Sequence, residues 1–244
     1  MIRMINRFIY FTLAAALVFV MTIKDAQAKG GAHSMSFGVS FSSLNQKDLN
    51  AQMDAISAST YSGSFTTKNL TSAYEFFGQY AYRFGSTMMS LVVRPSYMTQ
   101  SSSGTCGAGN CNYSLTGLTL YPLLRITPLE NSFIKFFMQT GIGYGSISAS
   151  VTENSASGSF SGYAIGQMVG MGASFCFTDT HCLTLEGNLR YHPIERNISS
   201  GATGTFANTG FSQFNSSGEV EYGGSDLATT LSGFQGILAY TMNF

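Results

Sequence analysis

The chain has 244 residues, and its 12 basic and 12 acidic residues leave no formal net charge at pH 7. Charged residues make up only 10% of it, against about 25% in ordinary soluble domains, while Gly, Phe and Tyr number 27, 20 and 13. This balance gives no basic surface for nucleic acid, so we expect no nucleic-acid partner. The mean hydropathy of +0.12 is low for a chain built from transmembrane helices.

Residues 1–28 have the pattern of a secretory signal peptide. A basic start precedes an apolar run from Phe8 to Ile23, and Ala26-Gln27-Ala28 forms a small-x-small cleavage site. An uncleaved membrane anchor is the alternative, although the run is somewhat short for a spanning helix of about 20 residues. No Cys follows the cleavage point, which disfavours a lipoprotein. We predict a cleaved signal peptide at 1–28 and one β-barrel domain at 29–244.

Eight later segments alternate large apolar residues with polar ones, a period of two that predicts β-strands. The last segment shows the pattern most clearly, because Phe234, Leu238, Tyr240, Met242 and Phe244 share one face. An apolar face at the edge of an open sheet invites aggregation, whereas in a closed barrel it can face lipid. The segments lie at about 34–44, 72–84, 88–99, 113–127, 133–149, 160–177, 183–197 and 229–244.

The connections between these segments alternate in length. Three are tight turns, at 85–87, 128–132 and 179–181. Four are long and rich in Ser, Gly, Thr and Asn, at about 45–71, 100–112, 150–159 and 198–228. This alternation predicts an all-β fold, an eight-stranded antiparallel up-and-down transmembrane β-barrel with periplasmic turns and extracellular loops. A ten-stranded barrel is the alternative, because the fourth loop contains a weakly alternating stretch from Thr205 to Phe214.

The charged residues of the strands fall on the face opposite the apolar one. A charge that faces lipid at mid-membrane costs about 2–4 kcal/mol, so this sorting is expected of a real barrel. We predict a polar network in the lumen made by Glu75, Arg83, Arg94, Arg125, Lys135, Glu186 and Arg190. Gln167 falls on the outward side, so we expect it near a membrane interface or beside a β-bulge.

The lumen has two interpretations. Eight strands leave a barrel interior filled by side chains, and buried charges need partners, so a rigid plug of Glu–Arg pairs is the simpler one. The other is a gated path for small solutes or ions, which an excess of bases would bias towards anions. Gly141, Gly143 and Gly145 thin one inner wall, leaving either a void or room for bulky side chains opposite.

The first long loop carries a short helical pattern. Leu49, Met53 and Ile56 recur at helical spacing, and Asp48 is a suitable N-cap. We predict a helix at Asp48–Ile56 that lays an apolar stripe over the barrel mouth or the membrane surface.

The four cysteines form two local pairs. Cys106 and Cys111 lie in the second long loop, and Cys176 and Cys182 flank the turn between segments six and seven. The periplasm permits disulfides, and we favour two disulfides over free thiols or metal ligation.

No catalytic, cofactor or metal site is predicted. The segment around His192 weakly resembles that of the outer-membrane lipid A deacylases, which use a His-x-Ser pair. Ile194 stands where the nucleophile would be, so we expect no enzyme activity. No phosphate-binding Gly-rich loop or metal-ligand spacing is present in the sequence.

The chain resembles the small bacterial outer-membrane β-barrels, and the resemblance covers the whole mature part. The matching features are the signal peptide, the alternation of turns and loops, the segment Gly141–Gly145 and the terminal Phe244. That group includes the OmpX/Ail-like adhesins and the OmpA-like barrel domains. The resemblance implies that Tyr240, Met242 and Phe244 belong to the signal read by the barrel-assembly machinery. It also implies outer-membrane lipid and lipopolysaccharide as surroundings. It leaves two functions open, a surface-interaction (adhesin-like) protein acting through its loops on an unknown ligand, or a small-solute channel.

Overall fold

The computed structural model describes residues 32–58, 64–85, 87–206, 211–212 and 218–244. The predicted signal peptide lies outside these residues and stays a prediction. Eight long strands form the barrel. They are β1 (His33–Ser43), β2 (Ser72–Arg83), β3 (Met89–Cys106), β4 (Gly109–Glu130), β5 (Ile134–Glu153), β6 (Ala156–Cys176), β7 (His181–Tyr191) and β14 (Gly233–Asn243).

Each barrel strand pairs antiparallel with the next, and the ring closes where β1 meets β14. That last pairing is regular from Ser34 opposite Asn243 to Ser43 opposite Phe234. The prediction of an eight-stranded up-and-down barrel is therefore confirmed, and closure leaves every strand of the ring with two neighbours.

The fourth loop accounts for the remaining strands. It contains β8 (Pro193–Ile194), β9 (Ile198–Thr203), β10 (Phe211–Ser212), β11 (Glu221–Tyr222), β12 (Ser225–Asp226) and β13 (Thr229–Thr230). Only β9 joins the barrel sheet, where it pairs with Ser157–Ser161 at the far end of β6. β10 pairs with β11 inside the loop, and residues 207–210 and 213–217 are outside the described part. The alternating stretch from Thr205 does not add two spanning strands, so the ten-stranded alternative is wrong.

A band of exposed apolar side chains circles the barrel between two rows of aromatic residues. Such girdles mark the two membrane interfaces of transmembrane barrels. The row beside the short turns contains Tyr82, Phe84, Phe133, Phe177 and Tyr240. The row towards the long loops contains Phe41, Tyr74, Tyr97, Tyr144, Tyr163, Tyr191 and Phe234. We take the strand segments between these rows as membrane-spanning, and the short turns as periplasmic.

Gln167 is exposed on the outer wall, cross-strand from Tyr191 of the upper aromatic row. The β6–β7 register is regular from Gln167 to Cys176, so the predicted alternative of a bulge there is wrong. On its own strand, Tyr163 of the upper aromatic row lies four residues beyond Gln167, so a position of Gln167 at the interface stays a prediction.

Strands β3 to β6 continue well beyond the membrane, which corrects two of the predicted long loops. β3 and β4 end in a turn at Gly107-Ala108, and β5 and β6 end in a two-residue turn at Asn154-Ser155. Above the upper aromatic row the alternation inverts. Apolar side chains such as Ile147 and Val151 point inward, and Ser or Thr point outward. The inward side chains form an apolar core.

Loop one contains the predicted helix, here α1 (Lys47–Ala58), and its apolar stripe covers the barrel mouth. Leu49, Met53 and Ile56 are each 0% exposed. The predicted cap is wrong, because Asp48 lies within the first turn and its carboxylate accepts a hydrogen bond from Ala228 N–H at 2.8 Å. Within the described residues, no helix has the length and hydrophobicity needed to cross a membrane.

Candidate functional site: a closed lumen and an extracellular cap

An ionic cluster fills the lumen near its middle. Arg94 on β3 reaches across to Glu186 on β7 with two hydrogen bonds, 2.6 Å from Nη1 to Oε1 and 2.9 Å from Nη2 to Oε2. Arg125 is 3.8 Å from the same carboxylate. Gln79 accepts from Arg94, and Gln139 accepts from Arg125 and donates to Glu186. All five side chains are at most 9% exposed, so the charges are paired inside the barrel as their burial requires.

A second ion pair lies one layer nearer the extracellular side. Arg190 Nη2 donates to Glu75 Oε1 at 2.6 Å, and both side chains are almost fully buried. Gln235 and Ser42 also donate to the Glu75 carboxylate, at 2.8 and 3.1 Å. Arg190 Nε donates to the main-chain oxygen of Leu231, which ties β7 to the end of loop four. The bidentate geometry holds opposite walls of the barrel together.

Tyr121 and His192 block the next layer. His192 Nε2 lies 2.9 Å from the Ala164 carbonyl, which can only accept, so Nε2 donates there and Nδ1 accepts from the Tyr121 hydroxyl at 2.5 Å. Both residues are 0% exposed. A Cβ at Gly143 would overlap the Tyr121 ring, and one at Gly166 would overlap His192. The glycine-thinned wall therefore makes room for bulky side chains, the second of the two expected outcomes.

An apolar core closes the extracellular half of the barrel. Helix α1 contributes Leu49 and Met53, and the returning end of loop four contributes Leu227 and Leu231. The inner faces of the extended strands supply the rest, chiefly Met98, Tyr113, Leu115, Ile147, Ala149, Val151, Ala156 and Phe160. We call this core, with α1 and loop four, the cap. It is packed like a small globular domain, and a solute would have to displace it to enter the lumen.

One carboxylate is buried in the cap. Glu153 is 2% exposed, and its Oε1 accepts from the Tyr113 hydroxyl at 2.7 Å and from Gln52 at 3.4 Å. Among the described residues, Oε2 has no hydrogen-bond partner. Burial raises the pKa of Glu153, and the two hydrogen bonds offset part of that rise. Sequence reasoning placed Glu153 in an open loop, because the apolar neighbours that bury it come from distant segments.

The periplasmic mouth has its own ion cluster. Glu130 accepts from Arg83 at 2.7 Å and from Lys135 at 2.9 Å. Burial alone would raise the pKa of Glu130, but hydrogen bonds and charge from these two bases outweigh it and lower the pKa. The sequence predicts Glu130 in a turn and gives no sign that it pairs with these two bases. The mouth opens into a cavity of about 70 Å³ lined in part by Phe137, and Arg125 lies 4.0 Å over that ring.

The predicted network residues thus separate into groups. Five of them, Glu75, Arg94, Arg125, Glu186 and Arg190, are buried in the lumen, whereas Arg83 and Lys135 stand partly exposed at the mouth. Sequence reasoning missed the glutamines that complete the central cluster. Their inward register was the available signal, and Gln79, Gln139 and Gln235 all share it with the charged residues.

The cysteines are joined as two local pairs, Cys106 with Cys111 and Cys176 with Cys182. The first pair lies at the tip of the β3–β4 hairpin, inside the cap core. The second bridges the ends of β6 and β7 at the periplasmic turn. Their oxidation in the cell remains our prediction.

The residues proposed as an assembly signal lie at the periplasmic end of β14. Tyr240 faces outward, and its hydroxyl lies 2.6 Å from His181 Nδ1. Met242 pairs with Met35 of β1. Phe244 exchanges two main-chain hydrogen bonds with His33, and the two rings stack with centroids 5.9 Å apart. The closing strand is thus secured to β1 up to its last residue.

A flat polar surface covers the outside of the cap. It consists of the outward side chains of four paired segments, Thr99–Ser103, Asn112–Thr116, Ser148–Thr152 and Ser157–Ser161. The register places them in three rows across four strands, and they comprise eight Ser, three Thr and Asn112. We call this surface the hydroxyl grid. None of its side chains is charged.

Within the described residues, no group of three or more His, Cys, Asp or Glu is arranged to hold a metal ion. What the site offers chemically is a lumen filled by ion pairs, a packed cap and an uncharged outer surface.

Comparisons with known proteins support the fold. No family model and no curated protein matches the sequence. Among solved structures, the chain is similar to the outer membrane protein OprG from Pseudomonas aeruginosa, with a TM-score of 0.53 and 10% identity over 90% of this chain and 99% of that one. Lower scores relate it to a major outer membrane protein from Thermus thermophilus (0.47; 12% identity over 86% and 99% of the two chains) and to Ail from Yersinia pestis (0.38; 13% over 88% and 99%). The first similarity shows a shared outer-membrane-barrel architecture.

Proposed function

We propose that this protein is a surface-interaction protein of the bacterial outer membrane, which presents its extracellular cap as a rigid binding platform. The observation that carries the proposal is the closed lumen. Two ion-pair layers, the Tyr121–His192 pair and the cap follow one another along the axis, and each is fully buried. A solute channel would need all four to open together.

The cap also explains why the barrel strands are longer than a membrane requires. β4, β5 and β6 have 22, 20 and 21 residues, about twice the 9–11 that span a bilayer. The additional residues build a sheet with its own core outside the membrane. Binding sites are commonly carried by loops on such rigid scaffolds.

The proposal is tested by blocking the platform sterically. A non-adherent bacterial strain would express the wild-type protein or a version with a short epitope inserted in an extracellular turn, at Gly107-Ala108, Asn154-Ser155 or Gly223-Gly224. Exposed turn tips tolerate insertions. The matched control carries the same epitope in the periplasmic turn at Asp179-Thr180. Binding is scored on arrays of immobilised extracellular proteins and saccharides.

We expect the wild type and the periplasmic control to bind at least one surface that the empty strain does not, and the extracellular insertions to remove that binding. No gain over the empty strain on any surface, or unchanged binding after all three extracellular insertions, would contradict the proposal. Immunoblots of outer-membrane fractions ensure that equal amounts of protein are compared.

A further inference from the structure

The hydroxyl grid has a composition that water solubility alone does not explain. Charged residues are 10% of the chain, so twelve positions would hold about one, and Ser or Thr fill eleven of the twelve. The grid has no charged side chain.

The grid is rigid, and two of its serine hydroxyls are available to a ligand. Its inner side is backed by fully buried side chains, among them Tyr113, Ile147 and Phe160. Its strands stand about 4.8 Å apart and repeat outward positions about every 6.6 Å, giving a surface of about 14 by 13 Å. In the described part of the chain, the side-chain hydroxyls of Ser148 and Ser150 form no hydrogen bond. Such hydroxyls can donate to and accept from a ligand without first breaking a protein contact.

The position of the grid indicates which surrounding molecules contact it. On β3 the outward residue next to Thr99 is Tyr97, and on β6 the outward residue next to Ser161 is Tyr163, both in the upper aromatic row. The grid therefore continues directly from the lipid-facing band on the same strands. In the proposed orientation, the molecules that surround the barrel above the lipid-facing band are the sugar chains of the outer leaflet. The amphipathic tyrosine rings at the boundary suit contact with both acyl chains and sugar rings.

We infer that the hydroxyl grid binds the uncharged sugar chain of the lipopolysaccharide that surrounds the barrel. Hydroxyl and amide groups both donate and accept, as sugar hydroxyls do, so the two surfaces are complementary. Phosphorylated sugars would call for Arg or Lys, and a protein partner for aromatic or Arg anchors at the centre of the surface. The grid has neither. The inference rests on the proposed orientation in the outer membrane.

The test measures binding of a defined probe, the polysaccharide released from lipid A of the producing bacterium, to the protein in phospholipid nanodiscs. The test variant is Ser148→Ala with Ser150→Ala. The matched control is Ser132→Ala with Ser225→Ala, two exposed serines outside the grid. A third variant, Ser148→Thr with Ser150→Thr, keeps the hydroxyls. Heat-modifiable migration in gels shows that each variant is folded.

We expect the alanine variant to bind about tenfold more weakly than wild type, and the control and threonine variants to bind as wild type does. Binding should be the same at low and high salt, because neutral groups are not screened. No binding to wild type, equal binding by the alanine variant, or binding that collapses at high salt would overturn the inference. These outcomes concern the saccharide alone, and the proposed platform function is tested separately by the turn insertions.

Discussion

At the scale of single residues, the molecule is held by buried ion pairs whose partners lie far apart in sequence. Glu75 and Arg190 are 115 residues apart, yet they meet because both face inward at the same height. The inward register was predictable from alternation. The choice of partner was not, because it depends on strand tilt and on which residues share a layer around the ring.

The Glu75–Arg190 pair provides a test of this burial. Glu75→Gln should destabilise the barrel by about 3–5 kcal/mol, because it leaves a buried guanidinium without its countercharge. The double variant Glu75→Leu with Arg190→Met should be much less destabilised, since no charge is left unpaired. Urea unfolding from detergent or bilayers gives both values. Glu195→Gln is the control at an exposed position, and equal stabilities of all four proteins would refute the paired plug.

Phe244 tests the assembly signal. Phe244→Ala keeps the main-chain hydrogen bonds to His33 and removes only the ring. One side chain contributes about 1.5–3 kcal/mol of burial, too little to open a closed barrel. We therefore expect lost outer-membrane yield and periplasmic accumulation in cells, with near-native stability after refolding in detergent. Normal surface levels in cells would contradict the role in assembly.

At the scale of elements, sequence patterns predicted the membrane part of each strand and only part of the extensions. Segment five ends near residue 149 and segment six begins near residue 160, whereas β5 continues to Glu153 and β6 begins at Ala156. Alternation predicts a continuous strand only while the apolar residues stay on the same face. In β5 the apolar residues switch from the outward Tyr144 to the inward Ile147, with Gly145 and Ser146 between them. That inversion, together with the many Ser and Thr residues that follow it, hides the outer ends of the strands in the sequence. The physical reason is the change of solvent, since lipid outside the barrel is replaced by water.

Helix α1 shows the same dependence on distant contacts. The helical spacing of its apolar residues predicted the helix from sequence. A helix of this length is marginal alone in water, so its stability comes from packing into the cap. Met53→Ala should cost the cap about 2–5 kcal/mol and speed hydrogen exchange of the α1 amides. Asp54→Ala, at an exposed position on the same helix, should leave exchange slow. Exchange in wild-type α1 as fast as in exposed loop residues would contradict the docked helix.

The buried carboxyl of Glu153 predicts a pH dependence of the cap. Its folded pKa is raised, so the neutral acid is the form the cap favours. Its contribution is therefore fully present below the ordinary pKa of a Glu and is lost as the pH rises through the raised value. Glu153→Gln should remove this dependence and stabilise the cap at neutral pH. Hydrogen exchange of α1 across pH measures it, with Glu195→Gln as control, and identical pH profiles of wild type and Glu153→Gln would refute it.

At the scale of the whole molecule, the barrel is a closed transmembrane ring that supports a small extracellular domain. Strand number followed from the turn-and-loop pattern, because an up-and-down barrel with both ends on one side needs an even count. The filling of the lumen could be predicted from the sequence only in outline. Its charges were expected, whereas the cap requires α1, loop four and two hairpins to meet in space, and local patterns carry no information on that meeting.

The closed lumen is tested most directly by the conductance of the purified protein in planar bilayers. A general porin reconstituted in the same bilayers provides the positive control. Because the ion-pair layers, the Tyr121–His192 pair and the cap close the lumen in series, the wild-type protein should insert without producing stepwise current. Reproducible single-channel steps from wild type would contradict the closed lumen, and with it the proposal that this barrel acts through its outer surface.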